Sequence, residues 1–371
     1  LKKKSLKTGF STGTAAAAAA MGALEALLTG TAPAEVEVSL PQGGSLTIPV
    51  REVTVLATGE ARGTVIKDAG DDPDVTHGAA ISSLVTWGAE DGVGGEIAFR
   101  RGPGVGLVTR PGLPLAVGEP AINPVPREMI AGNLRRVWAK HRPDQTMPGL
   151  VVEVGIGDGE RLARKTLNPR LGIVGGLSVL GTTGLVKPFS HEAYTATIES
   201  GLEVARAMGL REVVLTTGGK SEKIAMGLRP DLPEASFIQI ADFFGFSLGE
   251  TGKRGFKRVG LVSFFGKAVK QAQGLVYTHA HRAPLDLERL AEWLREAGAD
   301  EKMVGEVAKA NTARHALELL RQGGALGLAA VVGQRLETAV RDLAGSKVEI
   351  WVCIVDFDGA ILYRGGPREA E

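Results

Sequence analysis

GFSTGTAAAAAAMGALEALLTG runs from Gly9 to Gly30. A turn of glycine and small hydroxyl residues feeds directly into the alanines of Ala15–Ala20. Alanine has the highest helix propensity, and Thr12 or Thr14 can accept the N–H groups that a helix start leaves open. The stretch therefore predicts a helix that ends before Gly30 and lies close to a sheet through its small side chains. It also raises a question. A helix start favours negative charge, so the turn is either a cap or a holder of an anion.

Working outward, AEVEVSLP alternates as a strand does, and so does LTIPVREVTVLA after the Gly43-Gly44 turn. EIAFRRGPGVGLVTRPGLPLAVGEP alternates strand-like pieces with Gly and Pro turns. PVPREMIAGNLRRVWA predicts a helix, with Pro126 at or before its first turn. MPGLVVEVGIGDGERLARKTLNP reads as a strand pair around Gly157 to Gly159. This region predicts an α+β domain with antiparallel strands. A junction is expected near LGIVGGLSVLGTTG, which gives domains 1–170 and 171–371.

Beyond the junction the pattern changes. HEAYTATIESGLEVARAMG places Ile198, Leu202, Ala205 and Met208 on one helical face. REVVLTTGG and ASFIQIADFFGFS each read as strand and loop, and KRVGLVSFFGKAVKQAQG as strand then helix. LDLERLAEWLREAG is amphipathic. KVEIWVCIVDF adds a late strand, and DFDGAILYRG a hairpin turning at Asp358-Gly359. Strands alternating with helices imply a parallel sheet. The expected fold class is α/β overall: an N-terminal α+β domain, then an α/β domain with a mostly parallel, Rossmann-like sheet.

The 371 residues suit two domains. A formal net charge of +1 gives no reason to expect a nucleic-acid partner. Cys353 is the sole cysteine, which rules out an intrachain disulfide and a cysteine-based metal site. KKKSLK leads into a polar, Gly-rich stretch rather than a signal-peptide core. No apolar run is long enough to span a bilayer. The expectation is a cytoplasmic protein without a membrane partner.

Ligands of open α/β sheets bind beyond the carboxyl ends of the strands. Thr216, Thr217, Gly218, Gly219 and Lys220 stand there, then Asp242 with Phe243 and Gly245, then Gly266 and Lys267. LTTGGKSEK resembles an anion-holding turn before a helix, though it is not a Walker A loop. Asp242, after the next strand, is suited to a nucleoside hydroxyl pair. A tight turn and a helix cap is the alternative reading of each segment. His279 and His281 lie two apart in VYTHAHRAP. Either can move a proton near neutral pH, but two histidines fall short of a zinc site, and a surface loop is an equal reading. KDAGDDPDVTHGA gathers Asp68, Asp71, Asp72, Asp74 and His77. These could ligate a hard cation, but turn capping is the favoured role. Asn311 falls near the stripe of Val304, Val307 and Ala308, with His315 one turn on, and needs a backbone or ligand partner. Arg170 and Lys187 are suited to carboxylates or to a solvated face.

GFSTGTAAAAA, KDAGDDPDVTHG, GEPAINPVPREMI, NPRLGIVGGLSVLGTTG, TTGGKSEK, DFFGFS and YTHAHR occur in this order and cover nearly the whole chain. Together they resemble the signature blocks of the cobalt-precorrin-5B (C1)-methyltransferase family of anaerobic cobalamin biosynthesis. One departure is Ala15, where that family often has Cys. The resemblance implies methylation of C1 of cobalt-precorrin-5B by S-adenosyl-L-methionine, giving cobalt-precorrin-6A. Cobalt would arrive within the anionic tetrapyrrole substrate, so no protein metal site is expected. In that frame His279 and His281 are the catalytic candidates. Thr216, Thr217, Gly218, Gly219, Lys220 and Asp242 would frame the cofactor. Ser11, Thr12, Gly13, Thr14, Thr182, Thr183 and Asn311 would hold the substrate, at a site expected near the domain junction. A homodimer is the default expectation. A corrinoid carrier without catalysis and a nicotinamide-dependent oxidoreductase are the rival readings, the second weakened by the lack of GxGxxG after a strand.

Overall fold

The computed structural model describes residues 6–57, 59–88, 95–279 and 284–367. The chain divides into two compact units, Leu1–His191 and Glu192–Glu371.

The first unit is built around its alanine helix. β1 (Gly9–Phe10) leads into α1 (Thr12–Thr29). Ser11, rather than Thr12 or Thr14, is the N-cap: its backbone is extended and its Oγ accepts from Thr14 N at 3.2 Å. Gly30 ends the helix in the left-handed region at φ 73°, where glycine has no Cβ to clash. β2 (Glu35–Ser39) and β3 (Ser45–Pro49) form a hairpin. The run LTIPVREVTVLA is broken after Pro49, so its second half becomes β4 (Glu52–Ala57), which pairs with β5 (Glu60–Ile66). Then come β6 (Ala80–Trp87), β7 (Ile97–Arg101), β8 (Leu107–Val108), α2 (Pro124–His141), β9 (Leu150–Ile156), α3 (Gly159–Ala163), β10 (Ile173–Val174) and β11 (Leu185–Val186). The main sheet runs β4-β5-β6-β9-β7. It is antiparallel except for β7 beside β9, which are parallel. The expected strand pair at Gly157–Gly159 is instead β9 followed by α3.

Ala15 to Ala20 are fully buried, because α1 packs against β5 and β6 on one side and α2 on the other. Small side chains allow that approach. A Cβ on Gly63 of β5 would stand 2.0 Å from the Ala19 carbonyl oxygen. Ser83 Oγ of β6 donates to Ala16 O at 2.8 Å.

The second unit is a five-stranded sheet flanked by helices. Its elements are α4 (His191–Ala207), β12 (Glu212–Thr216), α5 (Gly219–Leu228), β13 (Phe237–Gln239), α6 (Phe244–Lys253), β14 (Arg258–Phe264) and α7 (Phe265–Ala272). They continue as α8 (Leu287–Glu296), α9 (Glu301–Ala308), α10 (Ala313–Gln322), α11 (Ala330–Ala344), β15 (Glu349–Val355) and β16 (Ile361–Gly365). The order is β13-β12-β14-β15-β16, parallel throughout except for β16. From β12 the chain moves to β13 on one side and then to β14 on the other. Such a reversal opens a crevice beyond the carboxyl ends.

Side chains alternate across the sheet. Val213, Leu215, Val259, Leu261, Val352 and Ile354 pack with α4, α6, α7 and the helices from α8 to α11. Val214, Val262, Trp351, Cys353 and Val355 pack with α5. Burial pushes the Cys353 thiol up to about 11, so it is inert at neutral pH. FGFS, expected as a loop, opens α6. The helical pattern from Val304 to Leu320 is broken in two, with Thr312 capping α10.

Candidate functional site

The carboxyl ends of the second sheet gather the residues expected to frame the cofactor. β12 ends at Thr216, whose hydroxyl is buried and directed at Ile238 O within the sheet. Thr217 Oγ1 lies 3.3 Å from Ser221 Oγ. Gly218 caps α5, and Gly219 is its first residue. A Cβ at Gly218 would meet nothing within 4 Å, and one at Gly219 only Gln239 Nε2 at 3.9 Å. The turn is thus open on its outer side. Lys220 Nζ donates to the main-chain oxygen of Phe357 and lies 5.9 Å from the centre of that ring.

Asp242 follows β13. Its Oδ1 meets Lys267 Nζ at 3.1 Å and accepts from Thr278 Oγ1 at 3.1 Å. Lys267 also donates to Ala241 O at 2.8 Å. α7 presents Lys267 here, and burial lowers Lys270 from its ordinary value against the pull of Asp242. An array of rings extends from this pair. Tyr194 stacks on Phe243 with centroids 5.2 Å apart, Phe243 meets Tyr277 edge-on at 5.2 Å, and Tyr277 stacks on His279 at 6.1 Å. Burial raises the Tyr194 hydroxyl, and the Asp242 charge adds to the effect. His279, at the end of this array, is exposed. His281 lies outside the described residues.

Tyr194 and Glu222 were not among the sequence's candidates, and Lys267 was named there without its pairing to Asp242. Glu222 is buried in the first turn of α5 and accepts from Gln239 Nε2 at 2.8 Å. An acid two residues after TTGGK is the sequence signal that marks it.

The first unit uses its hydroxyls differently. Thr12 Oγ1 donates to Leu180 O at 3.1 Å, and Thr14 Oγ1 to Gly184 O at 2.7 Å. Ser11 N and Gly13 N donate to the same two carbonyls at 2.9 and 3.1 Å. The start of α1 is therefore joined to the loop carrying Thr182 and Thr183. Thr183 Oγ1 lies 3.2 Å from Leu185 N and O, and Thr182 is exposed. Asn311 sits exposed in the link between α9 and α10, not on the packed stripe, and its N–H points to His315 Nδ1 at 3.4 Å. Lys187 is exposed, and the Arg170 carbonyl accepts from Arg110.

The acidic segment is an internal clamp. Lys67, only 1% exposed, pairs with Asp74. Asp74 Oδ1 accepts from Thr76 N and Oγ1 at 2.8 and 2.6 Å. Burial works to raise the Asp74 carboxyl, but Lys67 and Thr76 together hold it below its ordinary value. Asp68 pairs with Lys7 at 2.6 Å, Asp71 accepts from Lys7 N, and Asp72 from Phe189 N. Among the described residues no group of three or more His, Cys, Asp or Glu could hold a metal ion. Among them, too, no helix is long and apolar enough to cross a membrane.

Two family models match the chain: CbiD over residues 1–188, and the CbiD C-terminal domain over residues 277–366. A cobalt-precorrin-5B C(1)-methyltransferase of Salinispora arenicola is 45% identical, covering 98% of this chain and 94% of its own. One from Rubrobacter xylanophilus is 45% identical, covering 96% and 90%. The crystal structure of the cobalamin biosynthesis protein cbiD from Archaeoglobus fulgidus gives a TM-score of 0.39 at 25% identity, over 86% of this chain and 85% of that one. With matches of this extent along both units, the chain belongs to the CbiD family of cobalt-precorrin-5B C(1)-methyltransferases.

Proposed function

We propose that this protein methylates C1 of cobalt-precorrin-5B, with S-adenosyl-L-methionine as donor and cobalt-precorrin-6A as product. Family membership supports the reaction class. The observation that carries the assignment to this chain's residues is the grouping of the open Gly218-Gly219 turn with Asp242 beside the strand-order reversal. That reversal supports a Rossmann-like reading of the sheet.

The residues there fit an adenosyl donor. Asp242, braced by Lys267 and Thr278, offers a carboxylate for a ribose diol. The Gly218-Gly219 turn leaves backbone N–H groups and space for close approach. The rings of Tyr194, Phe243 and Tyr277 offer flat apolar faces. The bound donor supplies an already activated methyl, so the protein's main task is alignment. His279, stacked on Tyr277, is placed to position the macrocycle or to take up a proton. Cobalt belongs to the substrate.

Anaerobic incubation with S-adenosyl-L-methionine and cobalt-precorrin-5B, followed by mass analysis of the corrinoid, tests the reading. A gain of one methyl at C1 is the expected result. Tight corrinoid binding with no gain in mass would refute catalysis and leave a carrier.

A further inference from the structure

Beyond β15 the carboxyl edge carries a second feature, which draws Lys220, expected to frame the cofactor, to the main-chain oxygen of Phe357 instead. Phe357 is 50% exposed, although its ring stacks on Phe264 with centroids 5.0 Å apart and planes 8° from parallel. Two cations converge on that ring. The Arg314 guanidinium, from the first turn of α10, lies 5.5 Å from its centre, and the Lys220 ammonium 5.9 Å. Neither has a carboxylate partner among the described residues. The nearby Asp356 is already neutralised by Arg321 at 2.6 Å, and its other oxygen is spent on the N–H groups of Asp358 and Ala360. Asp358, next to Phe357, and Glu318, one helical turn from Arg314, make no ion pair with these cations among the described residues. An exposed ring with uncompensated cations around it is suited to a ligand with both an apolar body and acidic groups. The ring gives contact area, and the guanidinium grips a carboxylate through two N–H groups.

We propose that Arg314, Lys220 and Phe357 form a specificity subsite for peripheral carboxylates of the tetrapyrrole, separate from the Asp242 side that takes the donor. This rests on the function proposed above and adds which part of the second unit recognises the substrate. The probe is cobyrinic acid, a stable cobalt corrinoid with free side-chain carboxylates, titrated calorimetrically into the full chain beside its neutral methyl ester. Wild-type protein should bind the acid in a salt-sensitive manner and the ester at least about tenfold more weakly. Arg314→Ala should weaken binding of the acid about tenfold and flatten its salt dependence. Arg314→Lys should recover part of the loss, since charge returns without the planar fork. Phe357→Leu should weaken acid and ester alike. Arg161→Ala, an exposed site in the first unit, should bind as wild type, and S-adenosyl-L-methionine affinity should be unchanged in Arg314→Ala.

Equal affinity of wild type for acid and ester, or unchanged binding by both Arg314→Ala and Phe357→Leu, overturns the subsite. If the wild-type preparation still methylates cobalt-precorrin-5B, only the subsite falls. A wild type that neither methylates the precursor nor binds the probe overturns the function and the subsite together.

Discussion

Asp74→Asn isolates the charge in the clamp on the first unit. Asparagine keeps an oxygen for the Thr76 N–H and hydroxyl, so what is lost is the negative charge facing Lys67. Lys67 is only 1% exposed, and removing one partner of a buried pair costs about 3–5 kcal/mol. The Asp74 side chain is 26% exposed, which places the expected cost near the lower end, about 3 kcal/mol. For a unit of this size that is a fall in Tm of about 6–12 °C. Thermal unfolding, with hydrogen exchange over residues 60–88 to report on the first unit alone, measures it. Lys67→Met added to Asp74→Asn should restore most of the loss, because the orphaned ammonium is gone. The pH dependence has a fixed sign. The folded carboxyl lies below its ordinary value, so its contribution is present above about pH 4 and fades as acid passes the folded value. The gap between wild type and Asp74→Asn should therefore close in acid. A change in Tm below about 2 °C, or no rescue by Lys67→Met, would refute the buried-charge argument. Stabilisation of wild type by magnesium that Asp74→Asn lacks would restore the acidic segment as a cation site.

Gly63→Ala should destabilise the first unit by about 3 kcal/mol, since the new methyl meets the Ala19 carbonyl at 2.0 Å and no side-chain rotation relieves it; urea unfolding reads the effect. Asp242→Ala should weaken S-adenosyl-L-methionine binding about tenfold and corrinoid binding little, measured by separate titrations; equal donor affinity in both proteins would remove Asp242 from the donor site. His279→Ala should leave the fold intact and lower the single-turnover methylation rate by about 100-fold if it moves a proton, and an unchanged rate at saturating substrates would take it off the catalytic list.

The elements legible in the sequence are those whose pattern is local. The alanine run, the alternation in AEVEVSLP and the Asp358-Gly359 hairpin depend on neighbours within a few residues. The cap of α1 was not legible. Ser11, Thr12 and Thr14 are chemically similar, and a loop 168–170 residues away decides among them. The same hydroxyls would read identically whether they faced a ligand or that loop. The parallel pairing of β7 with β9 is likewise a long-range choice that no alternation encodes. In the second unit the Gly-Gly turn and Asp242 stood out because strand ends carry recognisable turn chemistry. Their pairings did not. Lys267, itself a candidate, reaches Asp242 from a helix after the next strand, and Tyr194 reaches Phe243 from α4. Arg314 lies 5.5 Å from the centre of the Phe357 ring only because the turn after β15 brings the two together, which no local pattern encodes.

Ala15 stands where the family that this sequence resembles often has cysteine, and its environment decides what a thiol there could do. The residue is fully buried at the fourth position of α1. Its N–H is bonded to Ser11 O at 3.0 Å, and the turn before it is fastened to Leu180 and Gly184. A thiol in that position would be desolvated, which raises its pKa and suppresses the thiolate that a nucleophile requires. The helix N-terminus pulls the other way, but Gly13 N is already bonded to Leu180 O and Thr14 N to Ser11 Oγ. Packing is therefore the expected role, and Ala and Cys differ by one buried atom. Ala15→Cys should methylate at the wild-type rate within a factor of about two and change stability by less than about 1 kcal/mol. Its thiol should react with an aromatic disulfide reagent only on unfolding. A rate rise of tenfold or more, with a thiol that titrates below pH 7.5 in the folded protein, would overturn the packing argument and place position 15 in the chemistry.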